Sequence, residues 1–214
     1  MKRALILAAL GLTAAAFAQS PDFKRPPPAW QVALSASKGS KPPAKAASCA
    51  GCHGAAGIPA AGTPFPRLAG LPAEYLAKQL FDYRDGTRAS PLMGPLAKGL
   101  SGAEIAALAR HYAARPAPPS KAAKADGPQR GRQLGRYGDN ALALPACIDC
   151  HGSDATGGGP ILPPLAQPAP YTIAQLQAFR SGERANDDNR VMREFAKRLS
   201  DADIKALADY YAGR

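Results

Sequence analysis

Cys49-Ala50-Gly51-Cys52-His53 and Cys147-Ile148-Asp149-Cys150-His151 are two copies of one Cys-x-x-Cys-His run, and together they use all four cysteines of the chain. The spacing puts two thiols on one helical turn, where they can bond covalently to the two vinyl groups of a haem while the histidine that follows coordinates the iron. A disulfide or a redox dithiol shares the Cys-x-x-Cys part, but neither requires a histidine directly after the second cysteine, twice. A zinc site would need further Cys or His ligands at finger spacing, and the one other histidine is His111. The expectation is two covalent haem c groups, attached at Cys49, Cys52, Cys147 and Cys150, with His53 and His151 on the irons.

Working outward, the same order of features follows each motif, which points to an internal repeat. Pro66-Arg67-Leu68 comes after the first and Pro163-Pro164-Leu165 after the second. Next is an amphipathic stretch closed by glycine. In the first half Tyr75, Leu76, Leu80 and Tyr83 share a face before Gly86; in the second Ile173, Leu176 and Phe179 share one before Gly182. Thr172 with Gln175 has the spacing of a capping box. The last element opens with Ser101-x-x-Glu104 or Ser200-x-x-Asp203. It carries Ile105, Leu108, Ala109 and Tyr112 or Ile204, Leu207, Ala208 and Tyr211 at helical spacing, a stripe read as core packing.

A methionine sits in each repeat, Met93 at 40 residues after His53 and Met192 at 41 after His151. An isolated methionine is ordinarily core filler, but the matched placement makes these two the candidate sixth ligands. A thioether favours Fe(II), raises the potential relative to bis-histidine ligation, and completes the coordination sphere. That favours electron transfer over chemistry on peroxide or oxygen. His111, at the position of Tyr210 in the repeat, is read as a surface or interdomain residue, with iron ligation as the alternative.

With these features the chain resembles two fused class I cytochrome c domains, as in dihaem cytochromes of the cytochrome c-four type. The resemblance covers the chain from about Ala46 to its end and rests on both haem motifs, His-Gly after each, the Pro-x-Leu runs, the methionines and the Leu-Ser-capped final helices. It implies an all-α fold of two small helical domains, each wrapped around one haem. It also implies that the carbonyls of Pro66 and Pro163 accept hydrogen bonds from His53 and His151, which orients the rings and makes them more basic. The first half departs from the pattern in having no glycine-aromatic helix like Gly131 to Tyr137.

The rest of the chain sets the context. Lys2 and Arg3, the apolar run from Ala4 to Ala16 and Ala16-Phe17-Ala18 read as an export signal over 1–18. A Pro- and Lys-rich segment with one short helix from Ala29 to Ser37 is expected over 19–45, the first domain over 46–115, a linker over 116–126 and the second domain over 127–214. The formal net charge is +11. Between Gln19 and Arg115 there are 12 Lys and Arg against 5 Asp and Glu, while from Asp126 to the end there are 11 of each. Acidic protein surfaces or anionic headgroups therefore fit the first half, and nucleic acid does not fit an exported chain without a recognition motif. Lys78 and Lys98 are the candidate docking cations there. The function expected is a periplasmic, non-enzymatic carrier of single electrons between redox proteins such as a quinol-oxidising complex and a terminal oxidase or reductase. A subunit of a periplasmic dehydrogenase is the alternative, and a dihaem enzyme acting on peroxide or a sulfur compound the weaker one.

Overall fold

The computed structural model describes residues 27–37, 43–118, 129–152 and 157–212. The expected export signal and most of the expected linker lie outside these residues. Among the described residues ten α-helices run in order: α1 Ala29–Ala36, α2 Ala46–His53, α3 Ala73–Asp85, α4 Met93–Lys98, α5 Gly102–Ala113, α6 Gln129–Tyr137, α7 Cys147–His151, α8 Ala169–Ser181, α9 Val191–Ala196 and α10 Asp201–Ala212. Extended pairing among the described residues is limited to isolated bridges, and no helix there is long and apolar enough to cross a membrane.

Local chemistry sets most helix ends. Ser101 and Glu104 form a reciprocal capping box, the Ser101 N–H donating to Glu104 Oε2 at 2.8 Å and the Glu104 N–H to Ser101 Oγ at 3.2 Å. Ser200 and Asp203 repeat it on α10 at 3.0 and 3.1 Å. Gly86 and Gly182 end α3 and α8 at φ of 82° and 86°, in the left-handed region. The box expected at Thr172 and Gln175 does not form. Pro168 caps α8 and Pro170 lies in its first turn, so the helix begins earlier and the Thr172 N–H already donates to Pro168 O at 3.0 Å.

Two cores result. Leu34, Leu76, Phe81, Ile105, Leu108 and Tyr112 join α1, α3 and α5, while Leu134, Leu144, Ile204, Leu207, Tyr210 and Tyr211 join α6 and α10 with the loop between α6 and α7. Ile105 and Ile204 occupy matching fully buried positions, where truncation to Ala costs about 2–5 kcal/mol. In the second core α6 crosses α10 so closely that a Cβ on Gly131 would lie 2.1 Å from Ala206 O. The first core solves the same problem differently. Its crossing helix is α1, which has no glycine and packs less closely: a Cβ on Gly102 of α5 would meet the Ala33 Cβ at 3.7 Å, an ordinary contact. The first core thus reaches back before position 46, because Trp30 and Leu34 pack into it.

The halves meet through buried and half-buried polar groups related by a fixed offset of 96 residues. Tyr75, Gln79 and Arg88 match Tyr171, Gln175 and Arg184, and the two arginines pair as an antiparallel bridge. Arg88 donates to Gln79 Oε1 and Gln175 Oε1, both at 2.6 Å, and to the Tyr171 hydroxyl. Arg184 donates to Gln175 Oε1 at 2.7 Å, Gln79 Oε1 at 3.2 Å, Asn186 Oδ1 and the Tyr75 hydroxyl. Lys78 belongs to this interface: its ammonium donates to Asp82 Oδ2 at 2.8 Å and to Asn186 O at 3.1 Å. It is therefore an interdomain strut and not a free docking cation, a role that depends on residues 108 apart in sequence.

Candidate haem sites

α2 and α7 each end on the histidine of the motif. Gly54 and Gly152 follow at φ of 77° and 85°, and a Cβ on Gly54 would lie 1.9 Å from Ile58 O. Glycine is thus required for the chain to turn back under the imidazole. His53 and His151 are each 7% exposed. The Nδ1 of His53 lies 2.9 Å from Pro66 O and that of His151 lies 2.8 Å from Pro163 O. A carbonyl can only accept, so Nδ1 carries the proton and Nε2 keeps its lone pair. Burial lowers both histidine pKa values and outweighs the opposing effect of the proline carbonyls, so each ring is held neutral, as a metal ligand must be.

The final helices brace the motifs. The Tyr112 hydroxyl donates to Ala46 O at the start of α2, and the Tyr211 hydroxyl to Gly135 O on α6 beside α7, each at 3.3 Å. None of the four cysteines is paired in a disulfide. Burial raises the pKa of Cys49 and pushes that of Cys147 up to about 11.

Both motifs face one continuous cavity of about 1240 Å³. Cys49, Cys52, His53 and Met93 line its first half and Cys147, Cys150, His151 and Met192 its second. Its volume exceeds the about 300–1,000 Å³ of a single small-molecule pocket. Leu92, just before α4, and Leu96 on it, 65% and 62% exposed, also line it, so their apolar surface contributes to the cavity wall. His111 is not among the lining residues. It is buried, its ring 5.0 Å from that of Tyr112 and its Nε2 3.4 Å from the Arg115 guanidinium, which corrects its reading as a surface residue and gives no support to iron ligation.

The donor set fits a haem on each side: two thiols, an imidazole with a free lone pair and a soft thioether around an apolar space. A further feature fits a cofactor that bears carboxylates. Arg88 and Arg184 line the cavity, and their hydrogen-bond partners are amide oxygens and tyrosine hydroxyls, not carboxylates. Two guanidinium charges close together and short of water favour an anion in that space. The motif reading did not single out this cluster; the offset shared by Tyr75, Gln79 and Arg88 with Tyr171, Gln175 and Arg184 is the signal that marks it.

Comparison with known proteins agrees with this geometry. The cytochrome c family model matches twice, at residues 37–111 and 136–212. A thiosulfate dehydrogenase electron acceptor of Thiomonas intermedia is 40% identical over 223 residues, covering 100% of this chain and 92% of that one. The structure of reduced cytochrome c4 from Pseudomonas stutzeri superposes with a TM-score of 0.72 at 32% identity, covering 86% of this chain and 97% of that one. A thiosulfate dehydrogenase from Marichromatium purpuratum superposes with a TM-score of 0.70 at 41% identity over 77% of this chain, which spans 36% of that longer one. The chain belongs to the cytochrome c family, as a two-domain electron-transfer cytochrome of the cytochrome c4 type with two covalently bound haem c groups.

Proposed function

We propose that this chain accepts single electrons from a periplasmic dehydrogenase, with thiosulfate dehydrogenase as the donor, and passes them to a respiratory acceptor. The observation that carries this reading is the end-to-end match to the Thiomonas intermedia electron acceptor, supported by the likeness to part of the Marichromatium purpuratum enzyme. Haem c supplies the one-electron couple when bound. The residues of the chain do the rest. Cys49, Cys52, Cys147 and Cys150 attach the two groups; His53 and Met93 hold one iron, His151 and Met192 the other. Pro66 and Pro163 orient the imidazoles, and the apolar wall excludes water. A His/Met pair leaves no open coordination position, which fits a carrier and not an enzyme. Export to the periplasm follows from the signal read at 1–18.

The test is direct reduction. The oxidised holoprotein is mixed with a thiosulfate dehydrogenase and thiosulfate, and the haem absorbance is followed. Rapid reduction that needs both enzyme and thiosulfate supports the reading; a protein that stays oxidised with the active enzyme removes it. The likeness to cytochrome c4 favours a second reading, a free carrier fed by a quinol-oxidising complex, and reduction by that complex alone would select it.

A further inference from the structure

The segment that holds His53 is bonded to the second domain at the peptide where it matters. The carbonyl that accepts from His53 is Pro66 O, and the N–H at the other end of the same peptide unit is that of Arg67. That N–H donates to Gln167 Oε1 at 2.8 Å, while Gln167 Nε2 donates back to Arg67 O at 3.2 Å. One side-chain amide of the second domain therefore takes both polar groups of Arg67. The guanidinium of Arg67 closes the clasp, donating to Ala166 O through Nη2 at 3.1 Å and Nε at 3.3 Å, and to Ala69 O at 2.6 Å. Arg67 and Gln167 are each 8% exposed, so water is poorly placed to replace a lost partner.

Hydrogen bonds in a chain polarise one another, by about 10–30% per bond in a condensed phase. When Gln167 Oε1 accepts from the Arg67 N–H, electron density moves to Pro66 O. That oxygen becomes a stronger acceptor for the His53 Nδ1–H, and the opposite ring nitrogen becomes more basic. The second site lacks this arrangement. The peptide after Pro163 O belongs to Pro164, which has no N–H. The relay can run from the second domain into the first and has no counterpart in the other direction.

We infer that Gln167 is a positioning residue that tunes the first iron centre from the second domain, through the Arg67 N–H, Pro66 O and the His53 ring. The inference rests on His53 and His151 as the iron ligands. It makes the two haems unequal for a stated reason and gives the second domain a part in setting the potential of the first.

The test uses the holoprotein, with each haem followed separately by NMR during a redox titration. Gln167→Leu keeps the site neutral and removes the acceptor. A more basic imidazole favours Fe(III), so this change raises the potential of the haem at Cys49 and Cys52 and leaves the other where it was. Exchange of the His53 Nδ1–H in the reduced protein becomes about tenfold faster, the factor given by the roughly 1.4 kcal/mol within reach of one buried hydrogen bond. Arg67→Lys keeps the charge and both backbone bonds to Gln167 and leaves the first potential unmoved. An unchanged first potential in Gln167→Leu, an equal shift of both haems, or the same shift in Arg67→Lys overturns the relay. A parent protein whose histidine N–H resonances are not displaced by an iron centre overturns the ligand reading instead.

Discussion

Replacing Gln79 by Leu tests the interface at its busiest atom. Gln79 Oε1 accepts from Arg88 Nη1 at 2.6 Å, Arg184 Nη2 at 3.2 Å and Asn186 Nδ2 at 2.9 Å, and the residue is 7% exposed. A hydrogen bond to a charged group contributes about 1.5–3 kcal/mol and a neutral one about 1. Both arginines keep Gln175 Oε1, at 2.6 and 2.7 Å, so the single change costs about 3 kcal/mol and not the full sum. That corresponds to a fall in Tm of about 6–12 °C, at about 2–4 °C per kcal/mol for a chain of this size. Gln175→Leu loses the two arginine bonds but not the asparagine one, and is milder by about 1 kcal/mol. The double variant strips the shared amide acceptors from both guanidinium groups at once, so it costs more than the two singles together, by about 1 kcal/mol or more. The assay is denaturant unfolding of the holoprotein followed by circular dichroism, comparing midpoints at constant slope. Single-variant losses under about 1 kcal/mol, or additivity within about 0.5 kcal/mol, refute the shared-acceptor account.

Three other expectations follow from the same structure. Met93→Ala and Met192→Ala each open one iron, so each reduced variant binds carbon monoxide at one haem; a variant that binds none shows that its methionine is not a ligand. Burial alone would raise the Asp203 carboxyl, but the Ser200 hydroxyl and the Arg130 guanidinium outweigh it and hold its pKa below the ordinary value. Its stabilisation is thus present above the unfolded-state pKa and lost as pH falls through the folded-state one; Asp203→Asn lowers stability at pH 7 and flattens the acid limb of a Tm-against-pH curve, and an unchanged acid limb contradicts this. Lys98 is exposed on the basic half of the chain, and Lys98→Glu slows electron exchange with an acidic partner more than Arg132→Glu on the balanced half. The difference shrinks as salt shortens the Debye length from about 10 Å at 0.1 M, and equal slowing by both would remove first-domain docking.

What could be read from the sequence was local. A Cys-x-x-Cys-His run needs only neighbours to state its chemistry, and Ser101 with Glu104, Ser200 with Asp203, and the stops at Gly86 and Gly182 are set within one helical turn. Thr172 misled because it has the capping pattern inside a helix that Pro168 had already begun. The helix at 29–36 was legible, but its place in the first core was not, because the α3 and α5 residues it packs against lie on distant segments. Lys78, Arg67 and the arginine pair were out of reach of local rules for the same reason. Their partners lie roughly 80 to 110 residues away, and only tertiary folding decides that these cations are drawn out of solvent, Arg67 and Arg88 fully and Lys78 and Arg184 in part.

The most direct test of the proposed His/Met ligation at both haems is the far-red absorption of the oxidised protein, where sulfur-to-iron charge transfer reports a methionine on the iron. Measured per mole of polypeptide and normalised to haem content, the band has the strength of two centres, and Met93→Ala and Met192→Ala each remove half of it. A band of single strength, or none, contradicts methionine ligation at one or both irons and with it the closed coordination on which the carrier reading stands.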